Sequence, residues 1–252
     1  MKQSLVTLGD LEAVLVEPTE GTSPQVLVVL CHGFGAPGTD LVGLAHEWLR
    51  MEPELAQAVF AFPMAPIQMD PIYDSRAWWM IDIQRIQMLM ATGQTREMEN
   101  ESPAELPQRR QELTAAVKQL QDRYGLDWEH TILGGFSQGA MLTTDVALHV
   151  GHPLAGLLIW SGALINQQEW RPAAAKAEPL RVVQSHGRQD PILPFAAGEQ
   201  LSQLLQESGH EVEFLPFDGP HTIPQAAITA GAQLIRKAAS GAGSIETGGK
   251  SD

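Results

Sequence analysis

The sequence predicts an α/β fold, with a mostly parallel central sheet carrying helices on both faces. Short apolar runs rich in valine, leucine and isoleucine alternate along the chain with longer stretches whose apolar residues recur at helical spacing. One of the first runs, Val26-Leu27-Val28-Val29-Leu30, is apolar without a break. A strand that faces solvent on one side would alternate, so this one is covered on both faces, as in parallel sheets.

Taken in order, Ser4 to Leu8 and Leu11 to Val16 alternate around Gly9-Asp10 and read as an opening hairpin. Val26 to Leu30 follows as the first covered strand. Further strands are expected at Ala58–Phe62, Thr131–Leu133, Leu154–Trp160, Leu180–Ser185 and Val212–Phe217. Helical patterns fall at Leu41–Arg50, Glu105–Tyr124, Gln138–Val150, Phe195–Ser208 and Pro224–Ala239. Strand and helix in alternation imply right-handed crossovers and three layers. With 252 residues and no internal linker, residues 1–239 read as a single domain. The small polar residues 240–252 read as a disordered tail.

Hydrophobic residues make up 44% of the chain, enough for a sizeable core, and no apolar stretch approaches the roughly 18 residues of a membrane span. The formal charge of −14 opposes binding to nucleic acid or anionic membranes. Stable membrane insertion is therefore not expected. The N-terminal residues lack an apolar secretory segment, which makes a cytoplasmic location the expectation. The single cysteine, Cys31, has no partner for an internal disulfide and reads as a buried small hydrophobe. His46, His130, His149, His152 and His210 lack convincing metal-ligand spacing, so neither metal nor cofactor is expected.

Chemistry concentrates at Gly135-Phe136-Ser137-Gln138-Gly139, which follows one expected strand and opens a helix. A serine on so sharp a turn needs small residues two positions either side, because side chains there would meet the neighbouring strand and helix. A serine hydroxyl attacks only when an imidazole takes its proton, and the imidazole needs a carboxylate to orient it. In open α/β sheets such groups gather beyond the carboxyl ends of the strands. Asp190, in His186-Gly187-Arg188-Gln189-Asp190-Pro191, and His221, in Gly219-Pro220-His221, each follow an expected strand. Their order along the chain is Ser, Asp, His. The amides of Gln138 and of Phe34, in Cys31-His32-Gly33-Phe34-Gly35, are the candidate oxyanion donors. His32 reads as a structural hydrogen-bonding residue.

These segments, with Phe62-Pro63-Met64-Ala65-Pro66 and Arg76-Ala77-Trp78-Trp79, resemble the phospholipase/carboxylesterase family of α/β-hydrolases, which includes acyl-protein thioesterases and small bacterial carboxylesterases. The resemblance spans about Val26 to Lys237 and rests most on Gly-Phe-Ser-Gln-Gly. It implies a metal-free serine hydrolase of the α/β-hydrolase fold. Ser137, His221 and Asp190 would act on small or medium acyl esters through an acyl-enzyme, with Phe34 and Gln138 holding the oxyanion. An acyl thioesterase or lysophospholipase is the alternative within this chemistry, and a non-catalytic ligand-binding relative is the alternative outside it. The expected partner is a small-molecule ester or thioester, and the oligomeric state is left open. Two departures stand out. Ala36-Pro37-Gly38 replaces an Asp-Thr-Gly-like sequence, and residues 81–110 look longer than in compact members, as a cap-like insertion or an ordinary amphipathic helix. Trp78, Trp79, Ile86 and Met90 are the candidate substrate-binding residues. Adjacent tryptophans in an extended segment point opposite ways, so at most one of the pair faces a pocket.

Overall fold

In the computed structural model, which describes residues 1–82 and 97–241, eight strands form one sheet. They are β1 (Lys2–Leu8), β2 (Leu11–Glu17), β3 (Val26–Cys31), β4 (Ala58–Pro63), β7 (Thr131–Phe136), β8 (Gly156–Trp160), β9 (Arg181–Gly187) and β10 (Glu211–Phe217). A separate small hairpin pairs β5 (Ile67–Asp70) with β6 (Ser75–Ala77). The spatial order of the large sheet is β1-β2-β4-β3-β7-β8-β9-β10. Only β2 runs against the rest. The helices are α1 (Val42–Met51), α2 (Leu106–Tyr124), α3 (Gln138–His149), α4 (Gln167–Ala174), α5 (Phe195–Glu207) and α6 (Gln225–Ala239).

The unbroken apolar strands do face two cores. Leu27, Val29 and Cys31 of β3 join Leu133, Leu157 and Ile159 on one side, under Leu113, Val117 and Leu120 of α2 and Met141 and Leu142 of α3. Val26, Val28 and Leu30 point the other way, toward Trp48 of α1 and Ile228, Leu234 and Ile235 of α6. The Trp48 indole nitrogen donates to the Ile228 carbonyl at 2.8 Å, which ties α1 to α6. That bond satisfies the one polar group of a fully buried indole.

The expected strands and helices agree with these elements to within one to three residues at their ends. One difference is β8, which begins at Gly156 rather than Leu154. Leu154 and Ala155 are buried ahead of it, and the Ala155 amide is already bonded to the Thr131 carbonyl. The helix α4 and the hairpin β5–β6 were not expected. Of the proposed insertion at 81–110, residues 83–96 lie outside the described residues, as does most of the expected tail, 242–252. The later part of the insertion packs rather than projects: Met98 and Leu106, the first residue of α2, are 1% exposed within the core.

Candidate active site

β7 runs straight into α3, and Ser137 is the joint. Its φ of 54° lies in the left-handed region that a residue with a side chain rarely adopts. The amide of Ser137 donates to the Trp160 carbonyl at 2.9 Å and its carbonyl accepts from Met141, so both ends of the turn are held. The flanking glycines are required by backbone, not by side chains. A Cβ on Gly135 would lie 2.5 Å from the Cys31 carbonyl oxygen, and one on Gly139 would lie 2.0 Å from the same atom. The elbow is thus packed directly on the end of β3.

Beyond β3, residues 32–36 lie against the elbow, where a Cβ on Gly33 would come within 3.3 Å of the Ser137 Cβ. His32 is buried, and the network around it fixes its tautomer. Nδ1 donates to the Gly33 carbonyl at 2.9 Å, while Nε2 accepts from the Ala65 amide at 3.1 Å. Burial pushes its pKa down, against the Gly33 bond that raises it. His32 is therefore a neutral structural hinge of this loop, as expected. The unexpected hairpin braces the same loop, with Gly35 bonded to the Arg76 carbonyl, Arg76 to the Ala36 carbonyl, and Ser75 Oγ to the Gly35 carbonyl. Among the described residues, no hydrogen bond claims the amides of Phe34 or Gln138.

On the other side of Ser137, β9 and β10 deliver Asp190 and His221. Gly187 permits this meeting, because a Cβ there would fall 2.3 Å from the Gly219 carbonyl oxygen and 2.4 Å from that of Pro220. His221 Nδ1 donates to Asp190 Oδ2 at 2.6 Å. Asp190 Oδ1 accepts from the amides of Ile192 and Leu193 at 2.8 and 2.9 Å. Burial works to raise the Asp190 pKa, but the His221 bond and the Leu193 and Ile192 amides outweigh it. The carboxyl is held below its ordinary value. Phe136 packs on the His221 ring with centroids 4.6 Å apart. His186 is buried behind the carboxylate, with Nε2 3.1 Å from the Leu193 carbonyl. The Ser161 hydroxyl, 3.4 Å from the Thr222 carbonyl, donates to the His221 loop. The Cys31 thiol is fully buried and its pKa is pushed up by that burial, so it is no rival nucleophile.

Ser137 and His221 open into one cavity of about 410 Å³. Gly33, Phe34 and Gln138 line it near Ser137, and Trp79, Ile81, Met98, Met141, Ile165 and Leu193 make its walls apolar. Of the tryptophan pair, Trp79 lines this cavity and Trp78 does not. Trp78 is a correction to the expected substrate-binding set: it is fully buried, and its indole nitrogen donates to the His32 carbonyl at 3.0 Å. Ile86 and Met90 lie outside the described residues. The sequence reading missed Met141, one helical turn after Ser137, and Leu193, three residues after Asp190. Helical and turn spacing from those two anchors is the signal that points to them.

One group of potential metal ligands, Asp145, His149 and Glu169, lies on α3 and α4. Its cation is supplied by the chain itself. Arg110 Nε is 3.3 Å from Asp145 Oδ2 and its terminal nitrogen is 3.0 Å from Glu169 Oε1.

The sequence matches the phospholipase/carboxylesterase family over residues 12–238. The chain belongs to that family. An acyl-protein thioesterase 1 from Eremothecium gossypii is 32% identical over 174 residues, 68% of each chain. One from Mycosarcoma maydis is 25% identical over 248 residues, covering 90% of this chain and 93% of the relative. Among solved structures, esterase PE8 superposes with a TM-score of 0.72 at 24% identity, covering 94% of this chain and 99% of its own. A carboxylesterase from Mesorhizobium loti gives 0.70 at 19% identity, covering 93% and 98%. These two share the fold. Family and relatives together make this phospholipase/carboxylesterase-family protein a hydrolase of ester or thioester bonds. No helix among its described residues is long and apolar enough to cross a membrane.

Proposed function

We propose that this family member is a carboxylesterase with a Ser137–His221–Asp190 triad. Ser137 Oγ attacks the acyl carbonyl while His221 Nε2 takes its proton, and Asp190 steadies the resulting imidazolium. The amides of Phe34 and Gln138 hold the oxyanion. The tetrahedral adduct collapses, His221 returns the proton to the leaving alcohol, and the acyl group stays on Ser137. Water, deprotonated by His221, then attacks the acyl-enzyme and releases the acid. The observation that carries this reading is the 2.6 Å His221–Asp190 bond, made on the wall of the same cavity that holds a serine at φ 54°.

The cavity volume, about 410 Å³, sits toward the low end of the roughly 300–1,000 Å³ of small-molecule sites and supports small or medium acyl groups. Trp79 is the candidate wall residue supported by position. Residues 1–239 would act as one hydrolase domain. A cytoplasmic location belongs to this reading. The acyl-protein thioesterase relatives favour a second reading, in which the leaving group is a thiol. The same triad serves both.

One experiment tests the proposal. A fluorophosphonate probe should label the protein stoichiometrically at Ser137, and Ser137→Ala should keep the fold while losing turnover by a factor on the order of 10⁶. An aryl ester series from acetyl to octanoyl, run beside one acyl thioester, separates the two leaving-group readings. Undiminished turnover by Ser137→Ala would refute the triad.

A further inference from the structure

In the reaction above, the side chain of Gln138 and the indole of Trp78 do no chemistry. Both are nevertheless fully engaged. Gln138 Oε1 accepts from the Trp78 amide at 2.9 Å, and Gln138 Nε2 donates to the Trp79 carbonyl at 2.8 Å. Trp78 Nε1 donates to the His32 carbonyl at 3.0 Å, and the His32 and Trp78 rings lie 5.7 Å apart. Gln138, Trp78 and His32 are each no more than 1% exposed. A two-residue strap therefore spans the space between the elbow and the loop after β3.

That span has a functional dimension. The two candidate oxyanion amides sit on opposite sides of it, Gln138 at the elbow and Phe34 two residues beyond His32. Among the described residues, no hydrogen bond runs directly between residues 32–36 and 136–139. The loop is otherwise bonded outward, to the hairpin and to Ala65. The β3–β7 ladder ties the two segments at their roots, where Cys31 pairs with Gly135, but beyond that point van der Waals contact keeps them from approaching without keeping them from parting. An oxyanion hole works only when both donors are already about 2.7–3.1 Å from where the oxygen will be.

We propose that the Gln138 carboxamide and Trp78 form a cross-brace that sets the distance between the Phe34 and Gln138 amides, and that both are positioning residues for the oxyanion hole. The proposal rests on the triad reading. It also gives a reason for glutamine after the serine: the strap offers one N–H and one C=O, and only a carboxamide at this reach answers both. A glutamate would repel the Trp79 carbonyl, and a methionine would answer neither group.

The test uses Gln138→Met, which keeps the backbone amide and approximate shape but makes neither bond, and Trp78→Phe, which keeps an aromatic ring and loses its N–H. The substrate is an acetyl aryl ester, whose acyl group is too short to depend on the far walls. Misplacement by about 1 Å costs on the order of 10²-fold in rate, so kcat for Gln138→Met should fall roughly 10- to 100-fold with KM within about twofold. Trp78→Phe should show a smaller loss in the same parameter. Affinity for a reversible tetrahedral analogue, an aryl boronic acid, should fall in proportion to kcat/KM across both variants. Affinity for the planar, unreactive amide isostere of the substrate should not change. If either folded variant keeps parental kcat and boronate affinity while only its melting temperature drops, the brace is merely structural and the proposal fails. A loss confined to KM also overturns it. The triad reading fails separately, if Ser137→Ala remains active. Should Gln138→Met not fold, Trp78→Phe decides by the same criteria.

Discussion

Replacing Gly139 with alanine adds one methyl group at a place where the structure leaves no room for it. The new Cβ would lie 2.0 Å from the Cys31 carbonyl oxygen, 2.4 Å from the Cys31 carbonyl carbon and 2.6 Å from the His32 carbonyl oxygen. All three are backbone atoms at the end of a central strand, so no side chain can swing aside. Ordinary contact begins near 3.4 Å, and reaching it from 2.0 Å requires the start of α3 and the end of β3 to part by about 1.4 Å. That separation lies between Gln138, one residue before the substitution, and Phe34, just past the displaced carbonyls.

Two consequences follow with different magnitudes. Overpacking costs about 1–3 kcal/mol, and a domain of this size loses about 2–4 °C of melting temperature for each kcal/mol. Displacing an oxyanion donor by about 1 Å costs on the order of 10²-fold in kcat. Gly139→Ala should therefore remain folded at 25 °C yet hydrolyse an acetyl aryl ester about a hundred times more slowly, with a Tm lower by roughly 2–12 °C. Gly43→Ala is the matched control. Gly43 sits on the exposed side of α1 with nothing within 4 Å of an added Cβ, so alanine should stabilise by about 0.5–1 kcal/mol and leave kcat alone. Parental kcat in Gly139→Ala would refute the claim that the elbow glycines hold the oxyanion geometry.

Two further outcomes concern charge. Burial lowers the pKa of His32, His186 and His210, so each is neutral in the fold and takes up a proton more readily when unfolded. Their contribution is fully present above the ordinary histidine value of about 6.5 and is lost as pH falls below it, at up to about 1.4 kcal/mol per pH unit for each. Urea midpoints measured from pH 7.5 to pH 5 should fall across that window, and a flat or rising profile would contradict the burial argument. Arg110→Met strands Asp145, which has no exposed surface and keeps the Trp170 indole at 2.8 Å and His149 Nδ1 at 3.6 Å but no arginine. Breaking a buried pair from one side costs about 3–5 kcal/mol, and thermal melts should show it while kcat per folded molecule stays unchanged. A Tm within 2 °C of the parent, roughly the shift for less than 1 kcal/mol, would refute a cost of that size.

The fold was legible wherever burial on both faces wrote itself into composition. Val26 to Leu30 is unbroken because its neighbours β4 and β7 carry it between two cores. Where a segment touches the core through one or two residues, no such pattern arises. Helix α4 has eight residues, starts at Asn166 with φ 46°, contains Pro172 and buries only Trp170 and Ala174. The hairpin β5–β6 is held by its bonds to residues 35–37 instead of by a core face, and Ile72 and Tyr73 at its turn are 84% and 75% exposed. Neither periodicity nor turn chemistry marks bonds of that kind.

The candidate site divides along the same line, between what a local stretch determines and what two distant stretches determine together. Asp190 is local: Pro191 has no amide hydrogen to compete, so the amides of Ile192 and Leu193 take Oδ1 and leave Oδ2 for whatever β10 delivers. The residue pattern around Asp190 thus already implies a carboxylate with one free oxygen. The tryptophan pair is not local. Alternation along an extended segment says that only one of Trp78 and Trp79 faces the cavity, but which one is decided by Gln138 and His32, 60 and 46 residues away from Trp78. Those partners fix the peptide planes on either side of the tryptophan pair and, with them, the indole that turns inward. A residue whose role is to connect two loops carries its signal in neither of them, so Gln138 reads from sequence as a backbone donor, and only the folded chain brings its carboxamide to the strap.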